Sequence, residues 1–111
     1  MLDDAHYHAI VAATLVHISD QLEQAYDDGD LDELDYDEGA GILSIITASG
    51  RTFIISRHAP SNQLWLASPI SGGLHFEYHT DKACWCLPDG RTLNQILAVD
   101  LEKTAKIHVV L

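Results

Sequence analysis

Apolar residues recur at helical intervals through the first quarter of the chain. Tyr7, Val11, Ile18, Leu22 and Ala25 fall on one stripe, with Thr14 and Leu15 beside them. At about 100° per residue this pattern predicts a single long helix from about Asp4 to Asp27. Asp20, Glu23 and Asp27 lie on the opposite face, at the spacing that makes helical side chains neighbours. Asp28-Gly29 supplies the stop.

Beyond the stop the period changes from helical to alternating. Leu34 and Tyr36 alternate with Asp35 and Asp37, which predicts a strand over 34–37, broken by Gly39-Ala40-Gly41. The β-branched runs 42–47 and 51–57, joined by Ala48-Ser49-Gly50, read as a hairpin. After Pro60 come a strand over 63–68, a Pro69–Gly73 loop and a strand over 74–79. A last strand is expected over 82–87, closed by Pro88-Asp89-Gly90.

The final helix has a clear start, because Thr92 and Gln95 form a capping box. Leu93, Ile96, Leu97 and Leu101 make its buried stripe, and the apolar tail from Ile107 to Leu111 is expected to pack as an extended segment. Helix, short antiparallel strands and helix imply one α+β domain over residues 1–111. Two helices then pack on one face of a single antiparallel sheet, leaving the other face to solvent or a partner.

Charge is distributed very unevenly over this framework. Asp20 to Glu38 holds ten of the seventeen acidic residues, and the first Lys or Arg is Arg51. Residues 1–50 carry twelve acids and no Lys or Arg, while residues 51–111 carry five acids against six bases. A net charge of −11 argues against nucleic acid, whose phosphates demand Lys and Arg, and against anionic membranes. It favours cations or a basic protein partner.

No apolar run approaches the ~20 residues needed to span a bilayer. The start, Met1-Leu2-Asp3-Asp4, has no basic leader, so a soluble cytoplasmic protein is expected. Cys84 and Cys86 are the only cysteines. On a strand they share a face about 6.5 Å apart, a poor separation for a disulfide, and they read as reduced thiols.

The acidic segment carries local penalties. Like charges at helical spacing cost about 0.2–0.5 kcal/mol per pair, and carboxylates near a helix C-terminus oppose its dipole at about 0.3–1 kcal/mol each. Glu23, Asp27 and Asp28 occupy that last turn with no Lys nearby. A hard cation such as Ca²⁺, Mg²⁺, Mn²⁺ or iron would relieve them, as would a basic partner. Asp28-x-Asp30-x-Asp32 imitates the opening of a calcium-binding EF-hand loop. The match fails at Glu33, where Gly is needed, and at Gly39, where Glu is needed. The competing reading is a solvated anionic face that keeps the protein soluble.

Trp65 is the second informative residue. If Leu64 and Leu66 face the helices, Gln63 and Trp65 lie on the open sheet face, where an exposed Trp suits an interface. His75, Glu77 and His79 also alternate, with the cysteines on the next strand. The H-x₃-H spacing converges on a helix, but on a strand it leaves the rings about 13 Å apart, which disfavours a soft metal site. There is no phosphate loop, nucleophile elbow or Cys/His motif, so an enzyme is the weaker hypothesis.

The stretch Ser56-Arg57-His58-Ala59-Pro60-Ser61-Asn62-Gln63-Leu64-Trp65-Leu66-Ala67-Ser68 resembles the signature of the frataxin family, and the lack of a transit sequence makes the chain resemble its bacterial members. Ser68-Pro69, Gly72-Gly73, the His75-Phe76-Glu77-Tyr78 strand, Trp85, Asp89-Gly90 and the Leu93-Ile96-Leu97 helix extend the similarity. The resemblance implies an α-β-α sandwich with one sheet and a role in iron–sulfur cluster assembly. It implies weak binding of Fe²⁺ and Fe³⁺, with other divalent cations possible, along an acidic ridge.

By position that ridge is Asp20, Glu23, Asp27 and Asp28, continued by Asp30, Asp32 and Glu33, with Asp4 and His8 at the N-terminal end. Asp35, Asp37 and Glu38 are weaker candidates. The resemblance also implies docking on a cysteine desulfurase through Glu23, Asp27 and Asp28, and approach to the iron–sulfur scaffold protein through Asn62, Gln63 and Trp65. A monomer is expected without iron. The family pattern often has further acids where Ser19 and Gln24 stand. The reading reached is an iron donor and/or regulator of the desulfurase; the alternative is an acidic module that docks on a basic partner with metal binding incidental. Ferroxidase chemistry is secondary, since no dinuclear Glu-x-x-His arrangement is present.

Overall fold

The computed structural model describes residues 3–107, 109 and 111. Helix α1 spans Asp4–Asp27. Six strands follow: β1 Leu31–Asp37, β2 Ile42–Thr47, β3 Thr52–His58, β4 Gln63–Ser68, β5 Gly72–His79 and β6 Cys84–Cys86. Helix α2, Leu93–Ala105, ends the architecture. The strands form one antiparallel meander in the order β1-β2-β3-β4-β5-β6.

Both helices lie on the same side of the sheet, because their buried stripes join the inward-facing strand residues in one core. Tyr7, Val11, Leu15, Ile18 and Leu22 of α1 and Leu93, Leu97 and Leu101 of α2 meet Leu43, Ile45, Phe53, Ile55, Leu64, Leu66 and Phe76. Each such side chain contributes about 1.5–3 kcal/mol on burial. The two helices and their single sheet therefore realise the α+β arrangement expected from the sequence.

Capping explains the helix bounds. The Asp3 carboxylate accepts from the His6 amide at 2.8 Å, and that bond holds its pKa below the ordinary carboxylate value. Gly29, at φ +88°, ends α1. The capping box at α2 is present in full, with Thr92 and Gln95 each accepting from the other's backbone amide at 3.1 Å.

Strand β1 begins at Leu31, earlier than alternation alone indicated. A bulge between Leu31 and Glu33 absorbs one extra residue and interrupts the period-two pattern there. The β1–β2 turn closes against Arg57, whose guanidinium donates to the Gly39 carbonyl at 3.1 Å. A Cβ at Gly41 would stand 2.8 Å from the Arg57 Cβ, and φ there is +67°, so that position requires glycine.

Ser68 and Ser71 hydroxyls donate to the buried Asp100 carboxylate at 2.7 and 2.6 Å, anchoring the β4–β5 turn to α2. In the tail, Ile107 is buried and Val109 and Leu111 pack on the core. His108 and Val110, also expected in that extended segment, lie outside the described residues. Among the described residues no helix is long and apolar enough to cross a membrane.

Candidate functional site

The acidic ridge is spread along α1 and the start of the sheet. Asp20, Glu23 and Asp27 are exposed on α1, Asp28 caps it, Asp30 sits in the following turn, and Asp32 and Glu33 are exposed on β1. None of these carboxylates pairs with Lys or Arg among the described residues. The local cost read from the sequence is therefore uncompensated by the fold.

Two groupings emerge within the ridge. Glu23 and Asp27 border a cavity of about 360 Å³ with Tyr26 and Leu34, which brings the last turns of α1 beside β1. Asp28 and Asp30 border a separate depression of about 140 Å³ with Gln21, Gln24 and Val109. Asp4 and His8 stand apart: at 1.5 Å per residue, Asp4 lies about 24 Å along the helix from Asp20. Among the described residues no three His, Cys, Asp or Glu side chains converge on one point. Such a surface can hold partly hydrated cations through one or two carboxylates at a time.

The register also resolves the later acids. Asp35 pairs with Ser44 and Asp37 with Ile42, so both share the open sheet face and not the helix-side cavity. One cross-strand row there reads Asp37, Ile42, Ser56, Trp65 and His75. Inward-facing Tyr36 has its pKa raised, first by burial and then by the Glu38 carboxylate.

Trp65 is held more closely than its sequence position suggested. Its ring is stacked between His58, with centroids 3.8 Å apart at 12°, and His75, 4.0 Å apart at 10°. Its indole N–H donates to Gln63 Oε1 at 2.9 Å, which also accepts from the Ser61 hydroxyl at 3.0 Å. Ser61 Oγ lies 2.6 Å from His58 Nδ1. Asn62 turns the chain into β4 at φ 54°. Trp65 is consequently on the open face but half-buried, its two ring faces covered by imidazoles.

His58 and His75 are the residues that sequence reasoning did not attach to this platform. The alternation of β5 placed His75 on one strand face, but only the β4–β5 register sets it opposite Trp65. The same register sets Cys84 opposite His79 and Cys86 opposite Glu77, and no metal-ligating trio results.

A family model described as a frataxin-like domain matches residues 1–107. The chain belongs to the frataxin family. It is 39% identical over 84 residues to the iron–sulfur cluster assembly protein CyaY of Pseudomonas aeruginosa, covering 76% of this chain and 72% of that one. It is 30% identical over 103 residues to the mitochondrial frataxin homolog of Schizosaccharomyces pombe, covering 92% of this chain but only 65% of that relative's length.

Frataxin from Psychromonas ingrahamii shares the fold with a TM-score of 0.82 at 22% identity, over 97% of this chain and 96% of that one. Trimeric frataxin from Saccharomyces cerevisiae, solved in complex with ferrous iron, gives a TM-score of 0.73 at 26% identity, over 88% and 87% of the two chains. The frataxin fold thus accounts for both helices and all six strands.

Proposed function

We propose that this frataxin-family protein binds iron weakly along its acidic ridge and acts in iron–sulfur cluster assembly, as an iron donor and/or regulator of a cysteine desulfurase. The observation that carries this reading is the family match over residues 1–107, together with bacterial relatives named as iron–sulfur cluster assembly proteins. The yeast frataxin solved with ferrous iron supports the metal. The unpaired, exposed carboxylates support the place.

The metal-binding residues in this proposal are Asp20, Glu23, Asp27, Asp28, Asp30, Asp32 and Glu33, with Asp4 and His8 forming a separate, more distant element. All but His8 offer oxygen donors, which suit iron held as partly hydrated cargo. Glu23, Asp27 and Asp28 serve also in docking on the desulfurase, where their charge steers a basic partner surface. Asn62, Gln63 and Trp65 face the scaffold protein from the open sheet. In this reading the site is one of cation holding and contact.

A second reading is favoured by the exposed carboxylates that run from Asp20 to Glu33: the ridge acts chiefly as a docking surface for a basic partner, with metal binding incidental. Desulfurase activity, measured with and without this protein and with and without Fe²⁺, tests the proposal. Activity that changes on addition of the protein, with a further change on adding iron, supports the regulator reading. Activity indifferent to the protein under both conditions contradicts it. Reversing Glu23, Asp27 and Asp28 to Lys is expected to abolish desulfurase pull-down at moderate salt.

A further inference from the structure

The thiols of Cys84 and Cys86 lie with their sulfurs 2.8 Å apart, and both are free. Strand rise alone separates the Cα atoms of alternate residues by about 6.5 Å, within the 4.4–6.8 Å span that disulfides tolerate. The side chains converge much further than their backbones. Disfavouring a disulfide from strand spacing therefore missed how closely the two sulfurs approach.

We propose that Cys84 and Cys86 form a reversible dithiol–disulfide site that exchanges with low-molecular-weight disulfides of the glutathione class. It does not depend on the iron or partner reading above. Magnitudes separate this from soft-metal binding. Two sulfurs bound to one tetrahedral Zn²⁺ at about 2.3 Å stand roughly 3.7 Å apart, so the pair would have to open by about 1 Å. Bonding requires it to close by a smaller amount, to about 2.05 Å. No third Cys, His or carboxylate converges there among the described residues to complete a metal site.

The surroundings assign an order to the two thiols. Residues 80–83 before β6 are exposed and Cys84 is partly so, whereas Cys86 is buried. Burial, then the neighbouring Cys84 thiol, push the Cys86 pKa up to about 11, so Cys86 is kept as a thiol until a sulfur is presented to it. Cys86 is fixed from both sides, by pairing with Glu77 and by a bridge to Thr92.

The exchange balances in two steps. The Cys84 thiolate attacks one sulfur of the external disulfide, forming a mixed disulfide and releasing one thiolate. Cys86 then loses its proton to solvent and attacks the Cys84 sulfur, displacing the second thiolate and closing the ring. The protein dithiol is oxidised by two electrons and the external disulfide is reduced to two thiols. Alternation places the product on the open sheet face, opposite Trp85 and beside His79 and Glu77.

The test incubates the reduced protein with oxidised glutathione, traps remaining thiols by alkylation, and reads intact mass and non-reducing gels. The expected product is a monomer lacking two hydrogens, with both thiols lost, no glutathione retained, and full reversal by dithiothreitol. Cys86→Ser is expected to keep glutathione on Cys84, while Cys84→Ser resists modification. Wild-type protein that retains both thiols in excess oxidised glutathione, or that carries stable glutathione adducts without ring closure, overturns the proposal. If either serine variant fails to fold, the proteolytic peptide containing residues 84–86 of the wild type gives the same decision.

Discussion

The Tyr7 hydroxyl donates a 2.6 Å hydrogen bond to the main-chain carbonyl of Gln63. This bond ties the helix that carries the acidic ridge to the start of the strand that presents Trp65 on the opposite sheet face. Tyr7 has no exposed surface, and burial raises its pKa. Tyr7→Phe is expected to destabilise the fold by about 1 kcal/mol, the usual net worth of such a bond. Urea unfolding should show a lower midpoint with an unchanged slope; an unchanged midpoint contradicts the tie.

The His58–Trp65–His75 stack predicts how Trp65 meets solvent. In a Trp85→Phe background, His58→Ala or His75→Ala should uncover one indole face and increase acrylamide quenching of Trp65 fluorescence. Each loses a stacking contact of about 0.5–1.5 kcal/mol. Quenching that stays at the starting level in both variants contradicts the stack.

Asp27 and Asp28 stand at the C-terminal end of α1, where carboxylates oppose the dipole. Asp27→Asn and Asp28→Asn are each expected to raise stability by about 0.3–1 kcal/mol at low salt. The gain should shrink as salt screens the wild-type repulsion. The same variants should bind Fe²⁺ less tightly, so stability and metal binding move in opposite directions. Thermal melts paired with metal titrations measure both quantities; parallel losses contradict an uncompensated ridge.

Much of this was legible in the amino-acid sequence, for identifiable reasons. Helix α1 was readable because Tyr7 through Leu22 hold one apolar stripe, β2 because a β-branched run ends at the Gly-containing loop 48–50, and β4 because Leu64 and Leu66 alternate with Gln63 and Trp65. The start of β1 was not, since the bulge at Leu31–Glu33 breaks the period on which such reading depends. The ridge was visible as charge, but its division into a Glu23–Asp27 cavity and an Asp28–Asp30 depression depends on how α1 lies over β1 and the tail. His58 and His75 were out of reach because cross-strand register, unlike alternation, is set by loop geometry. The convergence of Cys84 and Cys86 depends on side-chain conformation that spacing does not encode.

The raised Cys86 pKa carries a stability consequence. Its folded-state value of about 11 exceeds the ordinary 9.0, so the folded protein holds a proton that the unfolded chain releases between those values. Stability contributed by the neutral thiol is therefore complete below about pH 9 and declines as pH rises toward 11. Cys86→Ser, whose hydroxyl does not titrate there, should show a flatter stability profile over that window. Identical profiles for the two proteins contradict the assignment.

In the proposed function the acidic ridge holds ferrous iron while the sheet face stays free for a partner. Anaerobic titration of ¹⁵N-labelled protein with Fe²⁺ tests this most directly, because each backbone amide reports its own distance from the metal. Amides from Asp20 to Glu33 should broaden and shift, with those of Asn62, Gln63 and Trp65 unaffected. Ridge signals that stay in place at millimolar iron, or effects centred on the Trp65 face, contradict the claim.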